Sequence, residues 1–309
     1  MLVNAFPWVR YLCGVTATLI AFCTLCLPAR GVTVFRDDFN RPNSSTLGAI
    51  SGPGTGTWSE IPSPSSGADI VISDGAVVGI HGNTSWIYEA LVPTAGFLAP
   101  WSSTLASNPG KVTWNINLQS TKPDMGGVAL PNNGIGVYLA ATGSGFQPGS
   151  VAYMLGWGMP GSGDPLQLAR AGDNQPITPF LTASTAPFHD ISTNYLSLRV
   201  EYIPTTSTWT LFARDDGASG FSDPATGGYV NLGSSVDATF TDRVMTHVGF
   251  YGTYTANTVS DLYRYDNFSI NVAPEPSSVS LLATAPIFGL YYRTRRGNRT
   301  LRTARIGTL

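Results

Sequence analysis

The sequence predicts an all-β chain folded as an antiparallel β-sandwich, and three observations carry that reading. Apolar and polar residues alternate with period two through the body of the chain, as half-buried strands require. The runs are short and rich in β-branched and aromatic residues, and turn formers separate them; the 309 residues include 34 glycines and 22 prolines. Between the two ends no helix-period run outlasts a turn.

The chain opens on a leader. Seventeen uncharged residues, Tyr11 to Leu27, follow a front whose one charged side chain is Arg10, and they lead into Leu27-Pro28-Ala29. A positive start, an apolar middle and a small exit residue make residues 1–29 a secretory signal peptide with a signal helix. Leu27 is larger than such an exit favours, so an uncleaved anchor is the alternative. Phe22 and Leu25 stand before Cys23 and Cys26 where lipidation needs a small residue, which argues against a lipoprotein. Cys13, Cys23 and Cys26 are the three cysteines of the chain. The exported body then has no disulfide and rests on burial; about 240 residues can bury roughly 70–75% of their unfolded surface.

The body, 32–272, reads as one domain without internal repeats. "ADIVISDGAVVGIH" is a hairpin turning at Asp74-Gly75, where positive φ is needed. "YLSLRVEYIPTTSTWTLFARDD" puts Leu196, Leu198, Val200 and Tyr202 on one face, and Ser197, Arg199 and Glu201 on the other. "KVTWNINLQ", "GIGVYLAAT", "AYMLGWGM", "VMTHVGFYGTYT" and "YRYDNFSINV" bring the set to about eleven to fourteen strands. The predicted core contains Phe35, Phe39, Val112, Trp114, Val137, Leu198, Val200, Leu211, Phe250, Phe268 and Ile270.

"VFRDDFNRPNSSTLG", followed by Trp58 and Glu60, and "YRYDNFSI" near the other end resemble the first and last strands of concanavalin A-like lectin and glucanase jelly rolls of the laminin-G-like type. The resemblance spans most of the body. It implies a jelly-roll β-sandwich whose terminal strands pair side by side near a sheet edge. That pairing would bring Asp37 or Asp38 to Asp266 or Asn267, and a structural Ca2+ held by Asp38 and Asp266 is the cofactor it suggests. Strand caps and turn hydrogen bonds are the other reading of these residues.

Catalytic chemistry is not legible. Enzymes of the resembled type carry E-x-D-x-E on one strand, and retaining glycoside hydrolysis needs two carboxylates about 5 Å apart. Here Glu60, Glu89 and Glu201 stand singly. Asp37-Asp38 and Asp215-Asp216 are neighbours, and neighbours on a strand face opposite sides. His81, His189 and His247 are isolated, and no hydrolase elbow, zinc motif or phosphate loop occurs. The sequence therefore predicts no catalytic residue and a non-catalytic protein, with a divergent glycan-active hydrolase or lyase as the alternative. For glycan contact Trp101 in "FLAPWSSTL" and Trp157 in "GWGMPGSG" are the candidates, because both sit beside loop signals; Trp114 and Trp209 alternate as core positions do.

Charge narrows the partners. Between Val32 and Val272 nine Lys and Arg face eighteen Asp and Glu, a net of −9 that the whole-chain −2 conceals. Such a body argues against nucleic acid, which needs a basic face. It fits a soluble surface protein or one that collects cations.

The tail, 273–309, with six arginines and Glu275, accounts for most of the difference, and Arg10 and Arg30 for the rest. Pro274-Glu275-Pro276 precedes sixteen uncharged residues, Ser277 to Tyr292, and then Arg293, Arg295, Arg296, Arg299, Arg302 and Arg305. As a helix the apolar stretch would reach about 24 Å, short of the roughly 30 Å hydrocarbon core, and Pro286 would kink it. The arginines form a basic stop. Together the three parts resemble the PEP-CTERM sorting signal of bacterial exported proteins. The resemblance implies a short transmembrane sorting helix, transient insertion in the inner membrane, and removal of the tail by an exosortase-type membrane peptidase. The body would be left at the cell surface or in the extracellular matrix, where exopolysaccharide is a partner to expect. An ordinary C-terminal anchor is the alternative.

Overall fold

Alternation of apolar and polar side chains becomes two antiparallel sheets laid face to face. The structure, a computed structural model, describes residues 31–61, 69–80, 86–121, 134–143, 149–157, 164–172, 175–189, 193–254 and 262–274. The leader, the tail beyond Pro274 with its arginine stop, and His81 lie outside the described residues.

The strands are β1 (Val32–Asp37), β2 (Ser59–Ile61), β3 (Asp69–Ser73), β4 (Ala76–Ile80), β5 (Trp86–Pro93), β6 (Gly110–Ser120), β7 (Gly134–Ala141) and β8 (Val151–Trp157). Then come β9 (Leu166–Gly172), β10 (Gln175–Thr182), β11 (Tyr195–Ile203), β12 (Thr208–Gly217), β13 (Val230–Val236), β14 (His247–Tyr254) and β15 (Leu262–Pro274). One sheet has eight strands, ordered β13-β12-β11-β6-β15-β4-β3 with β1 also on β15. The other has seven, ordered β10-β9-β8-β7-β14-β5-β2. Helical structure among the described residues amounts to three short 3-10 turns, and none of their helices is long and apolar enough to cross a membrane.

The predicted hairpin is present. Ser73 faces Ala76 across the turn, with Asp74 at φ 52° and Gly75 at φ 74°. Positive φ at both central positions matches the twist of the flanking strands. All eleven predicted core residues are buried. Each large apolar side chain so placed is worth roughly 1.5–3 kcal/mol. The rings interlock: Phe250 stacks on Trp58 at 5.0 Å and on Tyr265 at 4.5 Å, and Trp114 stacks on Trp209 at 5.7 Å.

The terminal strands pair, Val32 with Val272 through Asp37 with Phe268. Their place corrects the expectation of a sheet edge, for β15 lies inside the sheet between β6 and β4. At thirteen residues it is long enough to take two partners in series. Leu262 to Tyr265 pair with β4, and Phe268 to Val272 pair with β1. Asp266 and Asn267 fall in the gap, and Asn267 takes a left-handed φ of 51°.

Candidate functional site

This handover from β4 to β1 is where the acidic residues of the two chain ends meet. Asp37 ends β1 fully buried, and its carboxylate accepts from Arg41 Nη2 and Trp58 Nε1 (2.8 Å each), Ser51 Oγ (3.0 Å) and the Phe39 amide (3.1 Å). Those four donors leave it little room for another partner. Asp38, the next residue, accepts from Ser51 Oγ at 2.7 Å and lies 3.6 Å from Arg36 Nη2. The serine hydrogen bond, offset in part by burial, holds its carboxyl below the usual range. Asp266 accepts from the Asn267 amide (2.7 Å) and Nδ2 (3.0 Å). Burial pushes its carboxyl up to about 7, and the Asp38 and Asp37 charges add to the rise.

The structure thus brings Asp38 and Asp266 within electrostatic reach at one strand end. Among the described residues no three His, Cys, Asp or Glu side chains converge as a metal cage. Two carboxylates fit a calcium ion that draws its other oxygens from backbone carbonyls and water, not one enclosed by acidic side chains. The acidic, glycine-rich segment Arg214 to Gly228, at the end of β12 and beyond it, has its cation already. Arg214 donates to Asp216 (2.6 Å), Ser197 Oγ (2.8 Å), Thr226 Oγ1 (2.7 Å) and the Gly227 carbonyl (2.8 Å), pinning the loop to the sheet.

Other carboxylates hold the sandwich together. Asp237, buried, accepts from Arg170 and from Tyr153 Oη (2.9 Å). Glu60 accepts from the Leu47 amide at 2.6 Å, and Glu201 pairs with Lys111 at 3.0 Å. Glu89 is the case that single-residue reading passed over. It is 2% exposed on the side of the seven-stranded sheet away from the main core and accepts from Tyr138 Oη, whose ring lies 5.1 Å from that of Tyr251. With Leu91, Met154 and three alanines these tyrosines form a second buried cluster. A signal existed: "GIGVYLAA" and "VAYMLGW" are apolar or small at both parities, as strands buried on both faces are, and every residue of β7 and β8 is buried.

Of the two stacking candidates, Trp157 is a correction. Its ring is 0% exposed within the main core, because it stands at an inward parity on β8 with Val151, Tyr153 and Leu155. The loop signals beside it belong to the chain beyond β8 and leave the direction of the strand's last side chain to its parity. Trp101 is half-buried, resting edge-on against Phe97 at 5.5 Å, and keeps part of its surface open. His189 is exposed. His247 Nδ1 lies 2.8 Å from Thr246 Oγ1, and burial lowers its pKa.

No family model and no curated protein matches the chain. Among solved structures it is similar in outline to a lectin titled UEA-II complexed with galactose (13% identity, TM-score 0.48, 78% of this chain and 98% of that chain). It is also similar to a Lotus tetragonolobus seed lectin (14%, 0.45, 79% and 100%) and to lectin II from Ulex europaeus (12%, 0.45, 78% and 98%).

Proposed function

We propose that this is an exported, non-catalytic protein of the cell surface or extracellular matrix whose body, 32–272, contacts polysaccharide. The observation that supports the non-catalytic part is the engagement of six carboxylates among the described residues. Asp37, Asp216, Asp237, Glu60, Glu89 and Glu201 each serve a named structural partner. A hydrolase or lyase acting through any of these six would need it released toward a substrate. Trp101, with its open surface, is the residue to stack on a sugar ring.

Export rests on the sequence of the two ends: residues 1–29 as signal peptide, then 273–309 as sorting segment. The exosortase-type peptidase acts at Pro274-Glu275-Pro276, while the tail helix is held in the membrane by Arg293, Arg295, Arg296 and Arg299. Intact mass spectrometry of protein from its native host tests this; a mature chain still carrying Tyr291 to Arg305 rejects it. Calcium belongs to the same proposal, with Asp38 and Asp266 as the residues that would hold it and steady the junction of the terminal strands.

The glycan reading is tested with a panel of polysaccharides scored for both binding and new reducing ends. Binding that weakens several-fold in Trp101→Ala, without turnover, is the expected outcome. Turnover abolished by one Asp or Glu substitution would instead establish the enzyme.

A further inference from the structure

Both ends of the body leave the sandwich side by side. The outermost partners of the antiparallel pair β1 and β15 are Val32 and Val272. A Cβ on Gly31 would stand 3.5 Å from that of Ala273. The sorting motif follows without a linker, because β15 ends on Pro274, the first residue of Pro274-Glu275-Pro276, and Ser277 opens the apolar stretch. Glu275 and Pro276 together can span at most about 7 Å.

Extended chains are commonly read by strand addition, which needs an open edge. The chain before the motif offers none while the sandwich is closed. β1 covers one edge of Phe268 to Val272, and β6 lies on the other side of β15. The side chains of Phe268, Ile270 and Val272 are buried as well.

β1 is held unevenly. Beyond the bulge between Thr33 and Phe35 it is pinned on its far side. The Val34 carbonyl accepts from the Leu98 amide at 3.0 Å, the Arg36 carbonyl accepts from the Gly52 amide at 3.1 Å, and Phe35 stacks on Phe97 at 4.7 Å. Val32 and Thr33 gain no such backbone bond among the described residues. β15 holds them, with Thr33 Oγ1 donating to Asn271 Oδ1 at 2.6 Å, and Val32 is still 41% exposed. The pairs of Val32 with Val272 and Thr33 with Asn271 can therefore open while the rest of β1 stays in place. Fraying of this kind at a strand end costs the least of any opening.

We propose that this short pair is a latch on removal of the tail. The peptidase takes Asn271 to Pro274 along the edge that Val32 and Thr33 vacate, and tail removal waits on that opening. The proposal rests on the export reading and adds to it the step that regulates the cut.

The full chain carrying Thr33→Cys and Asn271→Cys, made in its native host, tests it. The two positions face each other, and the body has no other cysteine to compete for the disulfide that would hold the latch shut. Intact mass spectrometry over a chase reads the leader, the tail and the disulfide separately. The parent should shed Tyr291 to Arg305, while the locked variant should lose its leader normally and its tail at least about tenfold more slowly. Reductant added to the cells should restore tail removal in the locked variant, which a misfolded body could not do. Val32→Gly, which loosens the outermost pair and leaves the core untouched, should shed the tail several-fold faster than the parent. A locked variant that sheds its tail at the parent's rate, or a Val32→Gly chain no faster than the parent, overturns the latch and leaves the export reading standing. A parent that keeps its tail overturns the sorting reading and the latch with it.

Discussion

The hydroxyl oxygens of Tyr88 and Tyr265 lie 3.1 Å apart in the core, one from each sheet. Tyr265 gives its proton to the Tyr251 carbonyl at 2.7 Å, so Tyr88 is the donor in the pair. Burial raises the pKa of both phenols, which stay protonated. The Tyr88 ring fits because two neighbours lack a side chain. A Cβ at Gly79 would stand 2.7 Å from its Cζ, and one at Gly252 would stand 2.3 Å from its Cε1.

Tyr88→Phe should therefore cost about 1 kcal/mol, the net value of one hydrogen bond. Gly252→Ala should cost about 1–3 kcal/mol through overpacking. Urea unfolding measures both; a Gly252→Ala midpoint equal to the parent would show that the ring does not occupy that space.

Asp37 is the buried charge on which the front of the chain depends. Asp37→Ala strips the acceptor from Arg41 and from the Trp58 indole together, and should cost about 3–5 kcal/mol. A loss below about 1 kcal/mol in chemical denaturation would mean the network is ornamental.

Calcium should raise the melting temperature of the parent in a concentration-dependent way. At a hundredfold excess over the dissociation constant the gain is about 2.7 kcal/mol. Asp266→Asn should blunt the response. Identical melting curves in calcium and in chelator would assign Asp38 and Asp266 to strand ends alone.

In chelator, pH should act through two groups of opposite sign. Asp266, raised to about 7 in the fold from 3.8, leaves the native state holding the extra proton between those values, so stability falls as pH rises from about 4 to 7. His247 is depressed below 6.5; the unfolded chain takes its proton first, so stability falls as pH drops below 6.5. Asp266→Asn should flatten the first slope and His247→Gln the second. A profile untouched by either change would remove both groups from the account.

Strand positions and their inward faces were legible because alternation is local. Leu196, Leu198, Val200 and Tyr202 needed only their own spacing, and the Asp74-Gly75 turn only its own backbone preference. The handover on β15 was partly legible. The resemblance of the two terminal segments to the end strands of lectin-type jelly rolls implied their pairing, but nothing in "YRYDNFSINV" says that β4 takes one half and β1 the other.

By itself the sequence determined the fold class, the eleven core positions and the acidic balance of the body, and it alone carries the export reading of the two ends, since all of these rest on composition and short-range period. The tertiary structure alone decided that Trp157 is enclosed, that Glu89 meets Tyr138, and that Asp37 is shared among Arg41, Ser51 and Trp58. Period two states which of two sides a residue faces. The surroundings on that side depend on strand order and on the cover over each sheet, and these are set by contacts between residues far apart in the chain.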